Sequence, residues 1–89
     1  MKLIFDDNKN AINIEKHSVS LADAEKIKWE TLLAIEDKRY DYGEIRIIGY
    51  ALIETRLYCV VFTDRENERR IISLRKANSR EVKNYVNYS

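Results

Sequence analysis

The sequence predicts an α+β fold: two N-terminal helices packed on an antiparallel sheet of four strands or more, with a further helix at the C-terminus. Three observations predict it. Two helix-capping signals fall within residues 6–23, four runs rich in Ile, Val, Leu and Tyr occupy residues 32–77, and a last capping box starts at Asn78. Helices gathered ahead of a block of strands, rather than alternating with them, favour helices laid on one face of an antiparallel sheet.

In chain order, "KLIF" (2–5) is a short apolar strand. Asp6 or Asp7 then caps a helix running to about Lys16, because a short carboxylate accepts from the free amides of a first turn. Ala11, Ile12 and Ile14 give that helix a narrow apolar stripe. Ser20 with Asp23 approximates a second capping box, and Leu21, Ala24 and Ile27 follow at spacing three, predicting a second helix of about two or three turns. "LLAIED" (32–37), "EIRIIGYALI" (44–53), "RLYCVVF" (56–62) and "RRIISLRKA" (69–77) are strands. The connections "ETR" and "TDRENE" are short enough for hairpins, so consecutive antiparallel pairing is the economical arrangement. In the long second run, Ile45, Ile47, Ala51 and Ile53 share one face, and Arg46, Ile48, Tyr50 and Leu52 share the other. Neither face is wholly polar, so both are at least partly covered. Asn78 with Glu81 makes the capping box of a last helix through Val82, Tyr85 and Val86. The order is β-α-α-β-β-β-β-α, in one domain over residues 1–89, with no repeat or linker.

With 45% apolar and 35% charged residues, two glycines and no proline, disordered and fibrous classes are excluded. The lone Cys59 lies in an apolar run and forms no internal disulfide, so a buried, inert thiol is expected. No apolar run approaches the roughly 18 residues that span a bilayer, and acids occupy the place of a signal peptide's hydrophobic segment, so the expectation is a cytoplasmic protein with no membrane partner. The Asn87-Tyr88-Ser89 sequon is then a chance match. Net charge is only +1, but its distribution is uneven. From Arg65 to Lys83 seven Lys or Arg face three Glu, a net of +4, while residues 1–64 have nine bases and twelve acids, a net of −3. That polarity fits an anionic ligand at the C-terminal end, or simply a solvated charged face.

One His and one Cys do not make a typical zinc site, and there is no glycine-rich phosphate loop, so neither metal nor cofactor is expected. No nucleophile-elbow glycines flank Ser73. What remains is Lys, Arg, Glu and one His. Those types suit phosphodiester chemistry, in which a base takes the 2′-hydroxyl proton of RNA, cations stabilise charge on phosphorus, and an acid protonates the departing 5′ oxygen. Arg70 and Arg75 flank "IISL" five positions apart, so regular alternation puts them on opposite faces unless a bulge or the strand end intervenes. Glu44 and Arg46, two apart, share a face if both lie in the strand. Lys16 and His17 sit at the predicted end of the first helix, where the backbone dipole favours a cation by roughly 0.3–1 kcal/mol, so helix closure explains them as well as substrate contact does. Asn13 has poor propensity for mid-helix, and a structural hydrogen bond is expected of it. Tyrosines 40, 42, 50, 58, 85 and 88 offer either core packing or ring faces for unpaired bases.

"FDDNKNAINIEKHSVS" resembles the opening signature of the BrnT toxins: an aromatic and Asp followed by Lys9, Asn13, Lys16-His17 and Val19. "EIRIIGYA", "VVFT" and "RRIISLRKANSREVKNY" resemble that family's later motifs in the same order, over nearly the whole chain. The resemblance implies a RelE/ParE-like fold and a growth-arresting endoribonuclease encoded beside a BrnA-like antitoxin. It also implies that the antitoxin binds operator DNA, which the toxin reaches only through it. Carried over residue by residue, the motifs put Lys9, Asn13, Lys16 and His17 in a first block and Glu44 and Arg46 in a second. Arg70, Ser73, Arg75, Lys76 and Ala77 fall in a third. The catalytic candidates are His17, Glu44, Arg46 and Arg75, with Arg75 the first choice for phosphate contact. The RNA-binding candidates are Lys9, Lys16, Arg70 and Lys76. The alternative is a noncatalytic module of the same fold that binds an antitoxin and contributes to operon autoregulation, favoured by the low net charge and the partly apolar sheet faces.

Overall fold

The computed structural model describes residues 1–88. Its elements are β1 (Lys2–Ile4), α1 (Asp7–His17), a 3-10 helix (Leu21–Lys26), β2 (Lys28–Glu36), β3 (Ile47–Ile53), β4 (Arg56–Arg65), β5 (Glu68–Lys76) and α2 (Ser79–Tyr88). The strands form one sheet in the order β1-β5-β4-β3-β2. The sequon's Ser89 lies outside the described residues.

The α+β class holds, and β2 to β5 pair consecutively and antiparallel as the short connections predict. Turns at Glu54-Thr55 and Glu66-Asn67 close the last two hairpins, with Glu54 (φ 54°) and Glu66 (φ 58°) in the left-handed region. The sheet as a whole is mixed, which corrects the antiparallel expectation: β1 runs parallel to β5, setting Lys2–Ile4 beside Glu68–Arg70. The chain continues from β1 into α1 along the same edge, so strand and helix together follow the direction of β5.

The second expected α-helix is a 3-10 helix, a second correction to the predicted pair of N-terminal helices. The reason lies in its spacing. Leu21, Ala24 and Ile27 recur every three residues, the period of a 3-10 helix rather than the 3.6 of an α-helix. All three are buried. Ser20 caps the turn by accepting from the Ala22 N–H at 3.1 Å, and Asn10 Oδ1 accepts from the Leu21 N–H at 2.7 Å. With Val19, this segment covers one face of the sheet, where Ala51, Val60, Phe62, Ile71 and Leu74 complete the core. Trp29 closes one end, edge-on to Phe62 at 5.6 Å. Gly49 leaves the room that Leu32 occupies on the neighbouring strand.

Helix α1 docks in a way its apolar stripe does not suggest. Asp6 caps it, accepting from the Asn8 N–H at 3.0 Å, and Ser18 ends it at φ 58°. Yet Ala11, Ile12 and Ile14 are exposed, and Asn13 is the buried residue of the helix. The Asn13 amide donates to the Leu74 and Val19 carbonyls at 2.8 Å each and accepts from the Leu74 N–H at 3.2 Å. The Leu74 pair is what a neighbouring strand would supply, at a point of the β5 edge beyond the reach of β1. The structural hydrogen bond expected of Asn13 is therefore present, and it is what docks the helix.

Removing it leaves one buried N–H and two carbonyls without their partner. Asn13→Ala is expected to cost about 2–4 kcal/mol, read as a lower urea midpoint with unchanged slope. Asn13→Asp should also destabilise, because a carboxylate does not donate to two carbonyls. A loss below about 0.5 kcal/mol in both variants would remove the amide from this role.

Candidate functional site

A bulge in β5 sets the geometry of the site. Val61 pairs with Ser73 but Phe62 pairs with Ile71, leaving Ile72 as the extra residue. The insertion resets the alternation, so Ile71 and Leu74, three apart, both enter the core. It also brings Arg70, Ser73 and Arg75 opposite Thr63, Val61 and Cys59, alternate residues of β4. Arg70 and Arg75 therefore share the face turned away from the core, correcting the opposite-face expectation. Lys76 pairs with Tyr58, on the other side of the sheet, and is not brought to this group.

Arg75 is fully engaged. Its two terminal nitrogens donate to Glu81 at 2.8 Å each, and the Tyr50 hydroxyl donates to the same carboxylate at 2.9 Å. Glu81 also completes the capping box expected of α2: it accepts from the Asn78 N–H at 2.9 Å, while its own N–H donates to Asn78 Oδ1 at 2.9 Å. The guanidinium beside it holds the Glu81 carboxyl down at about 2, with the Asn78 amide and Tyr50 helping against burial. Burial pushes the Tyr50 hydroxyl up, with its bond to Glu81 second, and burial likewise raises the Cys59 thiol. Cys59 is the buried thiol expected.

Arg70 has the opposite setting. It is exposed, and its side chain has no hydrogen bond or ion pair among the described residues. It lines a cleft of about 460 Å³ with Ile4, Glu44, Ile45, Thr63 and Glu68. Two residues along β5, Ile72 and Ser73 join Lys9, Ile12, Lys16 and His17 around a shallower depression of about 200 Å³. Positions 9, 13, 16 and 17 fall on one face of a 3.6-period helix, so the Asn13 bond that docks α1 also turns its cations toward β5. His17 is the last residue of α1, in the place where a cation closes a helix, and it also lines the depression.

Glu44 and Arg46 lie ahead of β3, in the connecting loop 37–46, rather than within the strand as expected. They do pair, at 3.2 Å, and the Arg46 guanidinium lies 4.0 Å from the Tyr42 ring centroid. Arg46 Nε is buried without an acceptor. The loop is ordered by a residue the sequence did not single out. Asp37 is buried and accepts from Arg39 N at 3.1 Å, Arg39 Nε and Nη2 at 2.9 Å each, and the Tyr42 hydroxyl at 2.8 Å. The Arg39 guanidinium holds the Asp37 carboxyl well below the usual carboxylate range. The signal was present as "DKRYDY", an Asp whose side chain turns back on the backbone two residues later. Glu81 was visible only as a helix cap; its contacts with Arg75 and Tyr50 depend on the fold.

Among the described residues, no three His, Cys, Asp or Glu side chains gather where they could hold a metal ion, and no helix is long and apolar enough to cross a membrane. A small α+β chain that sets lysines, an arginine and a histidine around one strand of an open sheet has the groups that RNA phosphodiester chemistry requires. Residues 5–81 match the family model described as ribonuclease toxin, BrnT, of type II toxin-antitoxin system, and the chain belongs to that family. The matched span runs from the end of β1 through the sheet to Glu81. A comparison with curated proteins finds no match.

The Arg75–Glu81 pair gives stability a defined pH dependence. The folded-state carboxyl sits at about 2 against an ordinary 4.5, so its contribution is complete above about 4.5 and is lost as pH falls toward 2. Partial exposure limits it to about 1–2 kcal/mol. Glu81→Gln is expected to lower the unfolding free energy by that amount at pH 7 and to flatten its decline between pH 5 and 2. A variant whose profile parallels the wild type would show that other carboxylates carry the decline.

Proposed function

We propose that the chain is a metal-independent endoribonuclease toxin that cleaves RNA by attack of a 2′-hydroxyl on the adjacent phosphorus. The observation that carries this reading is Arg70, without a hydrogen bond or ion pair among the described residues, on the same sheet face as Ser73, which lines a depression with Lys9, Lys16 and His17 of α1. In the step, the 2′ oxygen bonds to phosphorus as the bond to the 5′ oxygen breaks. The 2′-hydroxyl proton goes to a base, and an acid protonates the leaving oxygen, giving a 2′,3′-cyclic phosphate and a 5′-hydroxyl. His17 takes one of these proton-transfer roles. Arg70 holds the phosphate and opposes its growing charge, and Lys9 and Lys16 position the neighbouring backbone. Arg46, oriented by Glu44, acts on the same charge from the loop. Arg75 enters the site only when its bond to Glu81 is exchanged for one to phosphate, and Lys76 is an outlying RNA contact.

The toxin acts in the cytoplasm, under a BrnA-like antitoxin through which it reaches operator DNA, and its fold is kin to RelE and ParE. A second reading, a noncatalytic module that pairs with the antitoxin, is favoured by the exposed Ile12 and Ile14 of α1 and Val82 and Val86 of α2.

Purified protein with total RNA in excess chelator separates the two. The expected products are 2′,3′-cyclic phosphate ends. Arg70→Ala should lower kcat/KM about 100-fold, since one contact to transition-state charge is worth about 3 kcal/mol. A change within about threefold would remove Arg70 from the mechanism, and intact RNA from verified folded protein would favour the noncatalytic module.

A further inference from the structure

The six tyrosines differ in their surroundings. Tyr50 is bonded to Glu81, the Tyr85 hydroxyl donates to the Thr31 carbonyl at 2.6 Å, Tyr58 packs against the core, and Tyr42 is bonded to Asp37. Tyr88 lies at the end of α2, beside an apolar groove against β2 and β3. Tyr40 and Tyr88 are the two exposed tyrosines, at 68% and 79%, and Tyr40 stands in the loop 37–46. The loop around it is nonetheless held firmly. The Asp37 N–H donates to the Arg46 carbonyl at 2.7 Å, and the Thr63 hydroxyl donates to the Ile45 carbonyl at 2.6 Å, tying the loop to β4. Above that base, the Arg46 guanidinium covers Tyr42, Tyr42 meets Tyr40 edge-on at 5.8 Å, and the Arg39 guanidinium lies 5.9 Å from the Tyr40 ring. Two cations and two rings are thus fixed in series, with the outermost ring in water. The same loop supplies Gly43, Glu44 and Ile45 as a wall of the cleft that holds Arg70.

An aromatic ring left in water by a rigid support gains by accepting another flat ring, and an unpaired nucleobase is the partner that accompanies a phosphate. We infer that Tyr40, braced by Tyr42, Arg39 and Arg46, is a stacking platform for an unpaired base of the RNA strand whose phosphate lies at Arg70. The inference rests on the ribonuclease reading and adds a residue that selects substrate rather than reacting with it. It makes the protein a reader of single strands, because a base held in a duplex does not present its face to the ring.

The test compares wild type, Tyr40→Ala and Tyr40→Phe on a short single-stranded RNA, and in parallel measures equilibrium binding of labelled oligouridylate and of an abasic ribose-phosphate oligomer of equal length. Tyr40→Ala is expected to raise KM roughly 5- to 100-fold with kcat within about twofold, and Tyr40→Phe to restore the wild-type value. Wild type should prefer the base-bearing oligomer, and Tyr40→Ala should lose that preference while keeping its affinity for the abasic one. KM and binding within twofold of wild type in Tyr40→Ala would overturn the platform. So would equal losses in the Ala and Phe variants, which would point to the hydroxyl, or a loss confined to antitoxin binding. A wild type that binds but does not cleave sinks the ribonuclease reading, while the oligomer preference still decides the role of Tyr40.

Discussion

The side-chain amide of Asn13 is the joint on which both the fold and the site depend. It stands in for a strand at Leu74, where the edge of β5 would otherwise present an unpaired N–H and carbonyl to the interior. Asparagine costs a helix roughly 0.5–0.7 kcal/mol relative to alanine, whereas three buried hydrogen bonds contribute about 1 kcal/mol each. The balance explains why a helix keeps a poor helix former at its centre and leaves two isoleucines in water. It also fixes rotation and register together. A slip of one residue in α1 would break the bond and turn Lys9, Lys16 and His17 away from β5 by 100°.

A net charge of +1 conceals an uneven distribution of paired and unpaired cations. Arg39, Arg46, Arg69 and Arg75 are each paired with a carboxylate, so half of the eight arginines are neutralised within the fold. Arg69 is further held between Trp29 and Phe62, where it covers the end of the core. Lys9, Lys16 and Arg70 have no such partner among the described residues, and they gather along one stretch of β5. Around the depression that Lys9 and Lys16 line, where no acid joins them, the local charge is more positive than the net charge indicates. The bulge at Ile72 sets Arg70 and Arg75 on one face, where a regular strand would have sent them to opposite sides.

What was legible in the sequence is what short-range chemistry determines. Asp6, Ser20 and the Asn78–Glu81 box announce helix starts because a cap satisfies amides within three residues. The hairpin strands were legible for a similar reason, their partners being the next segment along the chain. The spacing of Leu21, Ala24 and Ile27 carried the 3-10 helix openly, although a capping signal beside it favoured an α-helix. The partner of β1, the bulge and the Arg75–Glu81 pair were not legible, because each depends on which residues the finished sheet sets side by side. The family motifs singled out three blocks, but not that Arg75 in the third is paired with Glu81 while Arg70 has no ion pair among the described residues.

The attachment of α2 is largely polar. The helix buries no residue, and Glu81 and Tyr85 tie it to the sheet through Arg75, Tyr50 and Thr31. A segment attached in this way can open at a cost below the global unfolding free energy. Ionic strength and acid both weaken its anchor while leaving the core on the far side of the sheet intact. Each opening exchanges a neutral ion pair for a bare guanidinium on the face that already holds Arg70. An opening of the C-terminal helix would therefore change the electrostatic character of that face without unfolding the core.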